Sequence, residues 1–212
     1  MTPIDSFHLH CADLPLIAIL RGITPAEAAD AGAALDGAGF RLLEVPLNSP
    51  QPLESINRLA RLYPRALVGA GTVLTAAQAR EVHAAGGRLI VAPNFHPPVV
   101  QEAVRLGMVC LPGITTPTEA FGALDAGAHG LKLFPAEAAS PAVLKALLAV
   151  LPAGTAVFPV GGISAQNVAA WRSAGACGFG IGSALYKPGK SAAQIGADAA
   201  EFAAAWRGFL RT

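Results

Sequence analysis

Cysteine is scarce in this 212-residue chain, which contains only Cys11, Cys110 and Cys177. Their number is odd and no CxxC pair occurs, so neither a disulfide framework nor a zinc site is expected. His8 and His10 stand just before Cys11, but this trio precedes the first strand-like segment, and we expect no metal there. Cysteine usage of this kind is typical of a reducing cytoplasm.

Charge is scarce as well, since charged residues make up 14% of the chain and 15 basic residues face 14 acidic ones. This balance provides no general positive field for a phosphate backbone, so a nucleic-acid partner is not expected. The hydrophobic fraction of 53% and the net charge of +1 exclude disorder as the dominant state. No linker or low-complexity segment divides the chain, which fits one large domain.

Long hydrophobic runs are absent, although the mean hydropathy is +0.48. No uninterrupted apolar segment reaches the roughly 18 residues that a membrane-spanning helix needs. The segment 1–15 contains acidic side chains and lacks the basic and apolar regions of a secretory signal peptide. We therefore expect no membrane association, and we attribute the hydropathy to alanine-rich helices and buried strands.

One pattern repeats along the chain: a short apolar run, a turn with Gly, Pro or Asn, and an alanine-rich segment. Each run is continuously apolar rather than alternating, which is typical of a strand buried on both faces. The predicted strands are the runs at 16–20, 42–45, 66–70, 88–92, 108–112, 130–134, 156–160 and 178–182.

The alanine-rich segments carry helix signals at both ends. Ser and Thr are preferred N-caps, often followed by Pro, and such residues open four of the segments: Thr24, Thr75, Thr116 and Ser164. Glycine commonly follows the C-terminus of a helix, and helices are predicted to end at Gly39, Gly86, Gly107, Gly127 and Gly175.

Eight strand–helix units in about 200 residues predict an α/β protein, a single-domain (β/α)8 TIM barrel. An open, doubly wound sheet is the main alternative, but the count of eight and the rarity of long loops favour closure. We assign the barrel to residues 16–212 and an N-terminal arm or helix to residues 1–15. Within that arm, residues 3–13 can form a helix that covers the barrel floor.

Active sites of such barrels lie at the C-terminal ends of the strands, and one lysine stands out there. Lys132 lies inside the apolar run 130–134, whereas Lys145, Lys187 and Lys190 lie in a helix or a Pro/Gly loop and are expected to be solvated. Desolvation favours the neutral amine, which can attack a ketone and form a Schiff base. The alternative is a snorkelling or ion-paired structural lysine.

Glu44 is the matching acid, because it lies near the end of the second apolar run. It is interpreted as a general acid and base for the lysine, and the alternative is an ion pair with Lys132 that only neutralises a buried charge. Arg21 directly follows the first run and offers a planar donor fork for a carboxylate or phosphate. A surface arginine is the alternative for this residue.

Glycine-containing loops follow the seventh and eighth predicted strands. Gly161 and Gly162 form one loop, and Gly182 with Ser183 forms the other. Glycine lets backbone N–H groups approach an anion, and barrels commonly bind phosphate at these two loops. The sequence therefore predicts a phosphate site here, with tight turning as the alternative. Glu137 is expected to be a solvated loop acid, with contact to substrate as the alternative.

Two polar residues follow the third and fourth predicted strands. Thr72 supplies a hydroxyl group near the same mouth, although a role as a helix N-cap fits equally well. Asn94 ends the fourth strand and is expected to line the cavity.

Together these residues resemble the class I 2-keto-3-deoxy-6-phosphogluconate/galactonate aldolase family. The resemblance extends from about residue 16 to the C-terminus, and it is carried by AILRG, EVPLNSP, GAGTV, VAPN, LKLFPAE, PVGGI and GIGSALY. It implies a homotrimeric barrel in which Lys132 forms the Schiff base and Glu44 shuttles protons. Thr72 would lie on the carboxylate side of the substrate, and the two glycine loops would hold its phosphate.

The chain departs from the phosphogluconate-cleaving pattern, which usually reads E-[VI]-T-L-R-T and has Thr before the Gly-Gly pair. Here Asn48 stands at the arginine position, Val160 at the threonine position, and Arg21 occurs in AILRG. These differences resemble the phosphogalactonate-cleaving branch and imply that Arg21 binds the substrate carboxylate. Loss of the hydroxyl at position 160 would change which C4 epimer binds well, because a buried unpaired polar group is costly.

The resemblance implies reversible cleavage of 2-dehydro-3-deoxy-6-phospho-D-galactonate to pyruvate and D-glyceraldehyde 3-phosphate. The protonated imine would be the electron sink, so no metal or other cofactor is expected, and the partner is a phosphorylated keto acid. Three alternatives are open: preference for the gluconate epimer, a metal-dependent pyruvate aldolase, and a non-catalytic sugar-phosphate-binding barrel.

Overall fold

The computed structural model of the protein describes residues 1–208 and has an α/β architecture in which strands and helices alternate. The strands are β1 (Leu16–Ile19), β2 (Leu42–Pro46), β3 (Leu67–Gly71), β4 (Leu89–Val91), β5 (Val109–Leu111), β6 (Gly113–Ile114), β7 (Leu131–Leu133), β8 (Val157–Pro159) and β9 (Phe179–Ile181). The helices are α1 (Pro3–Asp13), α2 (Pro25–Gly37), α3 (Pro52–Leu62), α4 (Ala76–Ala84), α5 (Pro97–Arg105), α6 (Pro117–Asp125), α7 (Pro141–Leu148), α8 (Val168–Ser173) and α9 (Ala192–Gly208), with a 3₁₀ turn at Ala136–Ala138. Among residues 1–208, no helix combines the length and the hydropathy needed to cross a bilayer.

The strands form two parallel sheets. One has six strands in the order β5-β4-β3-β2-β1-β9, and the other has three in the order β6-β7-β8. β5 and β6 are separated only by Pro112, and one parallel bridge between Val160 and Gly180 joins the end of β8 to β9. The predicted α/β class is confirmed, whereas two sheets joined by a single bridge are found where one eight-stranded sheet is predicted.

The gap between β5 and β6 corrects the prediction of one strand over residues 108–112. Pro112 has no backbone N–H, so it cannot donate a ladder hydrogen bond at this point. Its carbonyl still accepts a hydrogen bond from the Lys132 amide at 2.9 Å. The hydrogen bonding of β7 therefore includes Pro112 as well as β6, in which Gly113 lies opposite Lys132.

Alternate residues of the strands pack into two different apolar layers, because successive side chains of a strand point to opposite faces. In β2, Leu43 and Val45 belong to the layer between strands and helices, whereas Leu42 belongs to a cluster on the inner face. The inner cluster contains residues of both sheets and so packs them together. Its buried members are Phe7, Ile17, Leu42, Leu67, Leu89, Val91, Val109, Leu111 and Phe158.

Helix α1 covers the N-terminal ends of the strands. Phe7, near its middle, is 1% exposed, and its ring centroid lies 5.9 Å from that of Phe158. A helix thus occupies residues 3–13, held at its start by a capping box between Thr2 and Asp5. Residues 209–212 of the predicted barrel lie outside the described residues.

Three of the four predicted helix starts are observed, since Thr24, Thr75 and Thr116 are the N-caps of α2, α4 and α6. The prediction for Ser164 is wrong, because α8 begins only after Asn167. The Asn167 side chain accepts a hydrogen bond from the Ser164 amide at 3.0 Å, which holds the segment between them as a turn.

Candidate active site

The amine and the acid that the sequence singles out lie on the same inner face. Lys132 in β7 stands between two residues of the outer layer, so the alternation of the strand directs its side chain inward. Glu44 in β2 is flanked by outer-layer residues in the same way. Lys132 is 6% exposed and Glu44 is 1% exposed. The structure therefore brings both groups into one buried region.

Burial dominates the ionisation of Glu44. Removal from water raises the pKa of its carboxyl group from 4.5 to about 7, although Lys132, Arg21 and the Gly71 amide all favour the carboxylate. Its Oε2 atom is buried without a hydrogen-bond partner in the described part of the chain, and an unpaired buried oxygen makes ionisation costlier. A group with a pKa near 7 can both donate and accept a proton at neutral pH.

Burial shifts Lys132 toward its neutral form too. Desolvation lowers the pKa of its ammonium group and the charge of Arg21 lowers it further, while Glu44 acts in the opposite direction. Nζ lies 4.5 Å from the centroid of the Phe134 ring, a contact that favours the cation. Because the net shift of the pKa is downward, the nucleophilic neutral amine forms more readily than in an exposed lysine.

Gly71, at the end of β3, makes room for the carboxyl group of Glu44. A Cβ atom at this position would overlap both carboxylate oxygens, so a larger residue would displace the acid. Gly69 lies opposite Glu44 in the register of β2 and β3, and a Cβ atom there would overlap the Leu89 carbonyl. Gly71 therefore provides the space for the acid, and Gly69 allows the close approach of the Leu89 backbone in β4.

A cavity of about 990 Å³ opens at the C-terminal ends of β1, β7, β8 and β9. Lys132 and Glu44 do not line it, but Phe134 does, and the centroid of its ring lies 4.5 Å from Nζ of Lys132. Gly180 leaves space for two other lining side chains, since a Cβ atom there would lie 2.7 Å from Val160 and 3.2 Å from Ile19. Several residues predicted to bind substrate line this cavity: Arg21, Val160, Gly161, Gly162, Gly182 and Ser183.

The Gly161-Gly162 loop has an acidic neighbour. Both glycines adopt positive φ, 107° and 64°, a region that favours glycine. Glu137 is exposed, as expected for a loop acid, but a Cβ atom on Gly161 would overlap its carboxylate, and the residue lines the cavity. The sequence does not reveal this contact, because Glu137 reaches the loop from the 3₁₀ turn after β7.

Arg21 lies at the rim of the cavity and is exposed. Its Nη1 group donates a hydrogen bond to Oδ1 of Asn48 at 2.7 Å. Its positive charge acts on the pKa of both Glu44 and Lys132. Arg21 is therefore close enough to the buried pair for its charge to act on both groups, and its role in binding substrate stays a prediction.

Thr72 and Asn94 follow β3 and β4 but do not line the cavity. Thr72 has a φ of 57°, which is unusual for a β-branched residue and marks local strain. The N-cap of α4 is Thr75, so the alternative of Thr72 as a helix cap is wrong. Asn94 is exposed, and its backbone packs closely against Gly113.

The loop after β9 brings further residues to the cavity that the sequence analysis did not single out. Tyr186, Lys187 and Pro188 line it, and Lys187 is exposed at its edge. Lys190 holds the loop, because Nζ donates to two of its carbonyls at 3.1 and 3.0 Å and pairs with Asp198. Only the Pro, Gly and Lys content of residues 187–190 marks this segment as a loop.

No group of three or more His, Cys, Asp or Glu side chains in the stretch from 1 to 208 is arranged to hold a metal ion. His10 is 8% exposed, and its ring pairs with the Ser6 hydroxyl at 3.1 Å. Burial lowers the pKa of this histidine. Cys11 packs against the inner cluster on the same helix, far from the rim of the cavity.

Comparison with known proteins identifies the family. Residues 8–197 match the family model of KDPG and KHG aldolases. The chain is 52% identical over 196 residues to the 2-dehydro-3-deoxy-6-phosphogalactonate aldolase of Escherichia coli K12, covering 92% of this chain and 95% of that protein. It is 47% identical over 192 residues to a Rhizobium meliloti protein described as probably the same enzyme, covering 90% and 91%. A solved structure described as native KDPGal has a TM-score of 0.92 and 49% identity, covering 94% of this chain and 97% of that one.

The family model spans the residues that form the buried pair and the cavity, from Ile19 to Pro188. Together with the two close relatives, this match shows that the chain belongs to the KDPG and KHG aldolase family. The protein is therefore an aldolase, a lyase that acts on carbon–carbon bonds.

Proposed function

We propose that the protein reversibly cleaves 2-dehydro-3-deoxy-6-phospho-D-galactonate to pyruvate and D-glyceraldehyde 3-phosphate through a Schiff base on Lys132. The observation that carries this proposal is the burial of an amine and an acid on one inner face, with pKa shifts that favour both neutral forms. The choice of substrate rests on the names of two relatives that match nearly the whole chain.

The first half of the reaction forms the imine. Neutral Nζ of Lys132 attacks the C2 ketone and gives a carbinolamine. Glu44, which burial keeps protonated below about pH 7, donates its proton to the departing hydroxyl group, and water leaves. The product is a cationic iminium, an electron sink directly attached to the carbon chain of the substrate.

The second half breaks the carbon–carbon bond. Glu44, now a carboxylate, removes the proton of the C4 hydroxyl group. The C3–C4 bond electrons move toward the iminium nitrogen, so the aldehyde phosphate leaves and an enamine of pyruvate remains. Protonation at C3 and hydrolysis then release pyruvate and regenerate the amine. The protonated imine does the electrophilic work, so the scheme needs no metal.

The rim of the cavity holds the two charged ends of the substrate. Arg21 binds the carboxylate with its planar fork of N–H donors. Backbone N–H groups of the Gly161-Gly162 loop and the Gly182-Ser183 loop bind the phosphate. The side chain of Val160 presents methyl groups to C4, where a hydroxyl-bearing residue would favour the other epimer.

Thr72 and Asn94 do not line the cavity, but we include both among the residues that bind substrate. Thr72 lies on the carboxylate side, and its strained backbone is of a kind that clusters at ligand sites. Asn94 stands beside it at the C-terminal end of the neighbouring strand. Both would contact substrate only when the bound molecule extends to the C-terminal ends of β3 and β4.

The same proposal extends to the assembly. Within the described part of the chain, residues 16–208 form a closed (β/α)8 barrel and residues 1–15 form the arm with its covering helix, supported by the inner cluster shared between the sheets and by the bridge from Val160 to Gly180. The family resemblance supports a homotrimer. The three free thiols support a reducing, cytoplasmic location.

Trapping with borohydride in the presence of pyruvate tests the covalent step. The wild-type protein should gain the mass of one reduced pyruvyl group, located on Lys132 by peptide mapping. Lys132→Ala should gain nothing. Lys145→Ala, which removes an exposed lysine on α7, should be labelled like the wild type. A non-catalytic sugar-phosphate-binding protein would show no adduct in any variant.

Kinetics on both C4 epimers test the choice of substrate. The galactonate epimer should have the higher kcat/KM. A higher kcat/KM for the gluconate epimer would reassign the substrate while leaving the Schiff-base chemistry intact, and loss of activity with a chelator would indicate metal-dependent chemistry instead.

A further inference from the structure

The loops after β1 and β2 are tied together at the rim of the cavity by two hydrogen bonds of different kinds. Nη1 of Arg21 donates to Oδ1 of Asn48 at 2.7 Å, which fixes a side chain. The amide of Gly22 donates to Oγ of Ser49 at 2.9 Å, which fixes the backbone. The guanidinium of Arg21 and the main chain of the next residue, Gly22, are therefore held by separate hydrogen bonds.

Asn48 is placed to act only through the arginine. It is exposed and does not line the cavity, whereas Arg21 does. We propose that Asn48 is a positioning residue that holds the guanidinium of Arg21 in the orientation that receives the carboxylate of the substrate. This inference rests on the proposed function, in which Arg21 binds that carboxylate.

The geometry of the guanidinium group explains how this support works. Arginine has five N–H donors in a rigid plane, and a bidentate contact with a carboxylate uses two of them. A bond from Nη1 to Asn48 uses one donor and leaves a pair free. An exposed arginine also samples many rotamers, and ordering them on binding costs affinity. A guanidinium that is already held loses less freedom when the substrate arrives.

The side chain of Asn48 is neutral, which leaves the charge of Arg21 intact. An amide oxygen accepts the hydrogen bond without cancelling the positive charge of Arg21, so the full charge remains available to the substrate. A carboxylate at position 48 would accept the same bond more strongly, but it would neutralise the guanidinium and repel the substrate carboxylate. If Asn48 only supported the loop, Asn48→Asp would be tolerated better than Asn48→Ala. If Asn48 orients Arg21 for a negatively charged ligand, Asn48→Ala is tolerated better than Asn48→Asp.

The test is a set of variants measured for condensation of pyruvate with D-glyceraldehyde 3-phosphate. Asn48→Ala should raise the KM for pyruvate about fivefold, which corresponds to about 1 kcal/mol for a lost hydrogen bond to an exposed charged group. The kcat value should stay within about twofold, because the bond assists binding and not the chemical step. Asn48→Asp should raise KM more than Asn48→Ala does.

A double-mutant cycle separates positioning from direct binding. In an Arg21→Ala background, Asn48→Ala should cause no further rise in KM. An equal rise in both backgrounds would overturn the proposal, since Asn48 would then act independently of the arginine.

Ser49→Ala is the matched control. It removes the other hydrogen bond between these two loops, the one from the Gly22 amide, and leaves the bond of the guanidinium in place. It should leave the KM for pyruvate much closer to the wild-type value than Asn48→Ala does. An equal effect of the two variants, or better tolerance of Asn48→Asp than of Asn48→Ala, would reduce Asn48 to a loop anchor. A wild-type protein that condenses no pyruvate contradicts the proposed function itself, and the inference falls with it.

Discussion

Replacement of Glu44 by glutamine should make the folded protein more stable at alkaline pH. Burial raises the pKa of this carboxyl group from 4.5 to about 7 in the folded state. Between these values the folded protein binds a proton that the unfolded chain has already lost. Wild-type stability therefore falls as the pH rises from about 4.5 to about 7, and it stays lower above that range. Glutamine has a similar shape and carries no charge to desolvate.

The size of the effect follows from the shift of the pKa. One unit corresponds to about 1.4 kcal/mol, so a change from 4.5 to about 7 lowers the stability of the charged form by about 3 kcal/mol. Glu44 is 1% exposed, so solvent screening does not reduce this figure appreciably. For a protein of this length, about 3 kcal/mol corresponds to a difference of roughly 6–12 °C in Tm.

Thermal unfolding of both proteins at two pH values tests this reasoning. At about pH 8, Glu44→Gln should unfold at the higher temperature, and at about pH 5 the difference in stability should shrink below about 1 kcal/mol. Glu81→Gln changes an exposed carboxylate of α4 and should have little effect at either pH. Equal Tm values at the alkaline pH, or a gain that is independent of pH, would refute the idea that Glu44 is a strained buried charge.

Three further predictions concern activity. In the wild type, kcat/KM should fall as the pH rises above about 7, because Glu44 of the free enzyme then loses the proton that it donates to the departing hydroxyl group, and Glu44→Gln should lose this limb of the profile along with most of its turnover. Gly71→Ala places a Cβ atom on the Glu44 carboxylate and should lower kcat by about 100-fold, whereas Gly37→Ala, with open space around it, should remain fully active. Glu137→Gln removes a negative charge beside Gly161 and should lower the inhibition constant of inorganic phosphate about threefold, and an unchanged constant would place the phosphate elsewhere.

The layered fold could be predicted from the sequence because its signals are local. The continuous apolar runs reflect the burial of each strand. The glycines that end the helices reflect the backbone conformation of single residues. The interruption at Pro112 was missed, because the run from 108 to 112 reads as one apolar segment and the lost hydrogen bond appears only when neighbouring strands are in register. The start of α8 was missed for a similar reason. The amide of Ser164 donates a hydrogen bond to the side chain of Asn167 within a turn, and Ser164 does not cap a helix.

The buried pair was predictable for a different reason: a charged residue inside an apolar run conflicts with its surroundings. Lys132 and Glu44 stand out in this way without any knowledge of their neighbours. Glu137 and Lys187 do not, because both lie outside the apolar runs, and only the path of the chain carries them to the cavity. The contact of Arg21 with Asn48 joins two loops far apart in sequence, which no spacing rule reveals.

The inner face of the strands is packed differently at its two ends. Near the N-terminal ends of the strands, that face is filled by the inner apolar cluster and by Phe7 of α1. Toward the C-terminal ends, Gly71 leaves room for the carboxyl group of Glu44, and Gly180 leaves room for Val160. Filling these positions with apolar side chains would strengthen the core and would spare the cost of burying an ionisable acid. The same packing that makes the acid expensive to ionise also keeps its pKa near neutrality, so the stability lost at alkaline pH and the capacity to move a proton have one physical origin.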